Sequence, residues 1–285
     1  MTTRRAMLAG LTLSVAALDA EAVLAAGTVS GTLETDIDVL KKDGVLRIAV
    51  PDLNAPPFFT QSTDPQTSID ISLATALAQS LGVRLEVDRR PKTFDQAVDY
   101  LVAGDVHLAV CKLSRTLPRA QRIVYSRPYA ALTHALFLNR VRFAELSGTR
   151  ELDDVIRSFD GELAILAKSS YSYFARKDFP SATIREYPSW PEVFRAVRDG
   201  EVHAGYSDSH MINRLFADDP STSIVARAVT LTDKVDRVAI GLSPASSHLA
   251  AYVNLYLELS FGLEGWAVKD LVKEFVVDEE PSQGA

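Results

Sequence analysis

The chain has 285 residues, 47% of them hydrophobic and 24% charged, a globular composition with room for two domains and against disorder. Its formal charge of −7 excludes the basic face that a nucleic-acid or acidic-membrane partner requires, and after the N-terminus no apolar run reaches the roughly 18 residues of a membrane span. One cysteine, Cys111, excludes an intramolecular disulfide and any metal site built on paired cysteines; neither a cofactor nor a metal ion is expected.

The first predicted element is an export signal over residues 1–26. Arg4 and Arg5 precede a short apolar stretch, residues 6–18, and small residues follow, the order of a cleaved signal rather than an anchor. Ala20-Glu21-Ala22 offers an Ala-x-Ala cleavage point, with Ala25 and Ala26 as alternatives. The paired arginines match a twin-arginine signal, while an ordinary Sec signal with two chance arginines is the competing reading. No lipobox cysteine is present, so a soluble mature protein is expected. Removing residues 1–22 takes away two arginines, Asp19 and Glu21, so the charge stays at −7.

A polar linker is expected over 27–44, then a buried strand over 45–50, stopped by Pro51. The loop from Asn54 through two prolines to Phe58 and Phe59 cannot extend it, because proline lacks a ladder donor. Asp70 is read as the cap of a helix over 71–81 closed by Gly82, and a strand over 84–87 follows. Thr93 with Gln96 has the form of a capping box. Phe94, Ala97, Val98, Leu101 and Val102 fall on one helical face, Gly104 stops the helix, and a strand over 106–110 carries His107 near its start. Ninety-six positions later the cassette recurs. Ser189 and Glu192 form the box, Trp190, Val193, Phe194 and Val197 the face, and Gly200 the stop, with His203 where His107 stood. One helix–strand cassette built twice predicts two similar α/β lobes. Strands over 131–138 and 236–242 are read as crossing between the lobes, 163–166 as the first strand of the second lobe, and 253–261 and 266–276 as closing helices. The tail beyond 276 is expected to fray.

Open α/β sheets bind ligands beyond the carboxyl ends of their strands. The residues there are Cys111, Lys112, Ser114, Arg115 and Thr116 in one lobe, Ser207 and Asp208 in the other. On the aligned cassettes Lys112 and Asp208 hold the same place. Two lobes facing each other with opposite charges suit a zwitterion between them.

Residues 104–129 carry a resemblance. Gly104, Val106, Ser114, Thr116, Arg119, Tyr125, Ser126, Pro128 and Tyr129 follow the order seen in bacterial periplasmic solute-binding proteins of the amino-acid type: a Gly-x-Val-Asp strand, a Ser/Thr-x-x-Arg loop and a Phe-Ser-x-Pro-Tyr segment. The resemblance implies an α/β two-lobed type II periplasmic-binding fold, each lobe a mixed, mostly parallel sheet flanked by helices and joined by two crossing strands. Lobe 1 would be 45–131 plus 236–276, lobe 2 132–235. It also implies that Arg119 grips a ligand carboxylate, that Asp208 takes an amino group, and that Phe58 or Phe59 lines the cleft. Ser114, Thr116, Ser169 and Ser170 would supply hydroxyl or backbone donors. Lys112 and Lys168 stand where the family usually has glycine, so they either narrow the pocket or select an extra anionic group, as in an acidic amino acid or dicarboxylate. His107 and His203 replace the family's aspartate and read as capping or packing groups.

The function implied is capture of an amino-acid or organic-acid solute in the periplasm for an ABC importer's permease, by a monomer with no catalytic residues. Two alternatives stay open. One is an enzyme on the same fold, of the cyclohexadienyl-dehydratase type, with His210, Lys112 and Lys168 as acid–base candidates. The other is an accessory protein of a periplasmic dehydrogenase.

Overall fold

A computed structural model describes residues 34–62, 68–262 and 266–275; the export signal and the C-terminal tail lie outside the described residues. The described residues from Thr35 onward form one unit. Its first element corrects the expected linker. Thr35 and Asp38 close a full capping box, Ile37 and Leu40 are buried, and helix α1 (Asp36–Asp43) runs to Gly44. In chain order there follow β1 (Val45–Ala49), α2 (Ile69–Leu81), β2 (Arg84–Asp88), α3 (Phe94–Ala103), β3 (Leu108–Ser114), α4 (Leu117–Ala120) and β4 (Val124–Asn139). The second half holds α5 (Arg140–Ser147), α6 (Leu152–Arg157), β5 (Glu162–Leu166), α7 (Tyr171–Asp178), β6 (Thr183–Tyr187), α8 (Trp190–Arg198), β7 (Ala204–Asp208), α9 (Ser209–Asp218) and α10 (Thr222–Val225). β8 (Ala226–Leu242), α11 (Ser247–Phe261), β9 (Trp266–Ala267) and α12 (Val268–Phe275) complete it.

Among the described residues the strands join in the order β2-β1-β3-β8-β4-β7-β5-β6, with β9 on β4. β1 lies parallel between β2 and β3, and β5 lies parallel between β6 and β7. Each lobe is therefore the same parallel trio closed by one long antiparallel strand. β4 and β8 pair from Val124↔Leu242 to Asn139↔Ala226, running through both lobes. The expected crossing strands, 131–138 and 236–242, are the C-terminal parts of β4 and β8, which begin well before the predicted spans. One apolar cluster draws on residues 37–132 and 238–271, and two others on residues 135–231. This is the two-lobed α/β architecture of type II periplasmic binding proteins.

The repeated cassette is physical. Gly104 and Gly200 end their helices at φ 80° and 75°, where a β-carbon is strained. Thr93 Oγ1 accepts the Gln96 N–H and Ser189 Oγ the Glu192 N–H, but Gln96 returns its bond to Lys92 N–H rather than to Thr93. His107 Nδ1 accepts the Arg47 N–H at 2.9 Å, and His203 Nδ1 the Glu162 N–H at 3.0 Å. Each imidazole thus satisfies the backbone entering the neighbouring parallel strand, a job a carboxylate also does. His107→Ala is expected to cost about 1–3 kcal/mol in denaturant unfolding by stranding that N–H, and His107→Asp less than half as much. Equal losses for the two variants would remove the acceptor role.

Two boundaries differ from the sequence reading. Ser68, not Asp70, stands at the N-cap of α2, and Asp70 is fully buried inside the first turn. The segment after Val110 is not a loop. β3 continues to Ser114, and its pairing with β8 shifts register between Ala109 and Leu113 around Lys112, whose φ is 51°. A left-handed residue at a bulge bends the strand and re-aims its side chain.

Candidate functional site

The end of β3 meets the ends of β5 and β7 where the lobes face each other. Lys112 is delivered there by its bulge, and Asp208 by its place as the last residue of β7 and the N-cap of α9. Lys112 Nζ lies 2.6 Å from Asp208 Oδ2, with the side chains 12% and 1% exposed. Asp208 Oδ1 accepts the Met211 N–H at 3.1 Å. Burial alone pushes the Asp208 carboxyl upward, but the Lys112 charge and the Lys112 and Met211 hydrogen bonds together hold it below its ordinary value. The Lys112 ammonium also stands 5.4 Å from the centre of the Phe58 ring.

A second bridge joins the lobes beside the first. Ser114 Oγ is 2.8 Å from Ser170 Oγ and donates to Asp236 Oδ2 at 2.6 Å. Asp236 comes from β8 and is 4% exposed; burial raises its carboxyl to about 6. Asp70 is still more enclosed. Its Oδ1 takes the Tyr129 hydroxyl at 2.7 Å, Oδ2 has no hydrogen-bond partner among the described residues, and burial lifts it to about 7. The Tyr129 oxygen in turn accepts the Lys112 N–H at 3.1 Å. Between the bridges remains a cavity of about 20 Å³, lined by Phe94, Lys112, Ser114, Ser170, Tyr171 and Asp236 among others, enough for one water-sized sphere. The buried Tyr171 hydroxyl, one of the cavity-lining groups, has no hydrogen-bond partner among the described residues.

Of the residues singled out from the sequence, the fold brings Lys112, Ser114, Ser169, Ser170 and Asp208 together, with Phe58 against the lysine. Ser169 Oγ is turned to the Leu166 carbonyl at 2.6 Å. Arg119 does not face Asp208 in this closed arrangement. Its Nε and Nη2 donate to Asp95 Oδ1 at 3.1 and 2.8 Å and its Nη1 to the Ser114 carbonyl, all within lobe 1. Thr116 lines a separate hollow of about 380 Å³ with Tyr173 and Phe174. Phe59 is fully buried edge-on to Phe94, away from the lysine. Lys168 sits at φ 53° with an exposed side chain. A left-handed backbone is the reason both lysine positions suit glycine, rather than close approach to a ligand alone.

Asp236, Asp70 and Tyr171 escaped the sequence reading. Asp236 had a signal, a carboxylate opening a predicted crossing strand; Asp70 was read as a cap. Among the described residues no group of three or more His, Cys, Asp or Glu side chains could hold a metal ion, and no helix is long and apolar enough to cross a membrane.

The family model described as bacterial extracellular solute-binding proteins, family 3, matches residues 46–255. The chain is 29% identical over 191 residues to a membrane-bound lytic murein transglycosylase F of Maricaulis maris, covering 64% of this chain and 40% of that one. It is 30% identical over 190 residues to a membrane-bound lytic murein transglycosylase F 1 of Alkalilimnicola ehrlichii, with 64% and 36% covered. The chain thus spans about 40% or less of the length of these curated relatives. Among solved structures, the ancestral amino acid-binding protein AncCDT-1, a precursor of cyclohexadienyl dehydratase, superposes with a TM-score of 0.65 at 22% identity, over 85% of this chain and 100% of that one. A putative binding component of an ABC transporter from Wolinella succinogenes, complexed with lysine, gives 0.65 at 17%, over 83% and 97%. These two likenesses establish the fold.

Proposed function

Because the chain belongs to the bacterial extracellular solute-binding proteins of family 3, we propose that it captures a small solute carrying an ammonium and a carboxylate between its lobes and presents it to an ABC importer. Export to the periplasm, a membrane permease as partner and a monomeric state belong to the same reading. The observation that carries it is the Lys112–Asp208 contact. The protein's own ammonium occupies a buried carboxylate receptor that faces it from the opposite lobe.

A solute ammonium would displace Lys112 Nζ from Asp208, and the freed lysine would meet the solute carboxylate. Ser114 and Ser170 lie alongside as further donors. The ion-pair partner of Arg119 is Asp95, whose side chain is 50% exposed, and such half-solvated pairs are weak. A carboxylate matching the guanidinium fork can replace it. Opening and closing is a hinge motion about β4 and β8, and a ligand touching both lobes shifts it toward closure.

The test is mass spectrometry of small molecules released from natively purified protein, followed by calorimetry with amino acids and organic acids. Asp208→Asn and Arg119→Lys are each expected to weaken binding about 30-fold or more. A protein that releases nothing and binds no amine or carboxylate would end this reading. One observation favours a second: Asp236 stands on the cavity wall 2.6 Å from Ser114 Oγ, and burial raises its carboxyl to about 6, close enough to neutral pH for acid–base work. Consumption of prephenate or arogenate by the wild type, lost in Asp236→Asn, would establish an enzyme instead.

A further inference from the structure

The polar cavity holds about 20 Å³, too little for anything larger than a water molecule. Directly beside it lies a groove of about 760 Å³, in the size range of small-molecule sites. Trp190 and Met211 line both. The groove also spans the two lobes, since Asn54, Pro56 and Thr60 form one lip and α8 with α9 the other. Its wall is aromatic. Trp190 stacks on Phe194 with centroids 5.8 Å apart, and Phe194 meets the fully buried Phe137 edge-on.

Charge offers no hold there. Arg195, Arg198 and Arg214 on the rim are matched by Glu192, Asp218 and Asp219. Arg198 and Arg214 lie within ion-pair distance of Asp199 and Asp218. Lys168 is exposed, and a Lys112 displaced from Asp208 is taken up by the solute's own carboxylate, so neither lysine is placed to hold a further anionic group in the groove.

We infer that the solute is amphipathic, with its ammonium-bearing head at Asp208 and Lys112 and an uncharged aromatic or branched apolar body in the groove against Trp190 and Phe194. Met211 is the partition between the two compartments. Its backbone N–H is fixed on Asp208, while its unbranched thioether side chain has the rotamer freedom to swing aside as the body enters. The inference rests on the binding reading above and specifies its substrate class.

Trp190 reports on it directly, since the sequence holds two tryptophans, Trp190 and Trp266. In full-length Trp266→Phe protein, titration with phenylalanine or leucine is expected to shift the remaining emission. Each should bind about tenfold or more tighter than alanine, from the apolar area buried. Phe194→Ala should remove most of that advantage, bringing phenylalanine and leucine close to alanine in affinity. Alanine, glutamate or lysine binding as tightly as phenylalanine, with no change at Trp190, would overturn the inference and leave the binding reading standing. 2-Phenylethanol shifting Trp190 as strongly as phenylalanine, undisturbed by Asp208→Asn, would also overturn it, making the groove an independent apolar site. Failure of every amino acid to bind would sink both readings together.

Discussion

Asp208→Asn is expected to lower the unfolding free energy by about 3–5 kcal/mol at pH 7, the loss that follows when one partner of a buried ion pair is removed. The mutation leaves the Lys112 ammonium facing a neutral amide in a space where its side chain is 12% exposed. Parting of the lobes rehydrates that ammonium, so some of the loss should register as a larger radius of gyration in solution scattering rather than in the denaturation midpoint. Lys112→Gly makes the complementary test. It strands the Asp208 carboxylate, but glycine accepts the φ of 51° without the cost of about 1–2 kcal/mol that a left-handed L-residue carries. Its net loss should be smaller than that of Asp208→Asn by about this amount. The Lys112→Gly, Asp208→Asn double variant should recover much of the deficit, with a coupling above about 1 kcal/mol. Coupling under about 0.5 kcal/mol, together with unchanged scattering, would mean that the pair does not hold the lobes shut.

This pair also marks how far the sequence can be read. The cassette spacing put Lys112 and Asp208 at equivalent positions, because helix stops at Gly104 and Gly200 set the same count to the end of the next strand. Local rules of that kind also reached the amphipathic helices, the two crossings and the two-lobed class. What they could not reach was the backbone at Lys112. Nothing in a lysine's identity announces a φ of 51°, and that angle, with its register shift against β8, swings the side chain across the gap. Arg119 shows a second limit. Its motif was legible, but its partner Asp95 lies 24 positions away on the first turn of α3, a tertiary choice that spacing does not encode. Asp36–Asp43 was missed for a plainer reason. Its charged composition reads as linker, yet Ile37 and Leu40 are buried and a capping box closes its start.

Asp70 should contribute a fall in stability as pH rises from about 4 to 7. Against it stand the partly or fully buried histidines His107, His134, His203 and His210, which burial holds below their ordinary value of 6.5 and whose contribution rises with pH until that value is passed. Burial raises the Asp70 carboxyl to about 7, against the Tyr129 hydroxyl bond and the charges of Lys112 and Arg89, which lower it. Below the ordinary value of 3.8 folded and unfolded chains both hold the proton, and the stability this group contributes is fully present. As pH rises, the unfolded chain gives up the proton while the folded chain keeps it until about 7. This contribution is lost across that window, by about 4 kcal/mol in all. Asp236, raised to about 6, adds a slope of the same sign over a narrower range. Asp208, held below its ordinary value, contributes the opposite sign, but only under about pH 4, where its stabilisation disappears on acidification. Asp70→Asn keeps an acceptor for the Tyr129 hydroxyl and removes the charge. The variant's margin over the wild type in urea unfolding should therefore grow between pH 5 and 8 and reach roughly 2–4 kcal/mol. An Asp70→Asn profile parallel to that of the wild type over this range would show that the enclosed carboxyl beneath Lys112 is ionised in the native state.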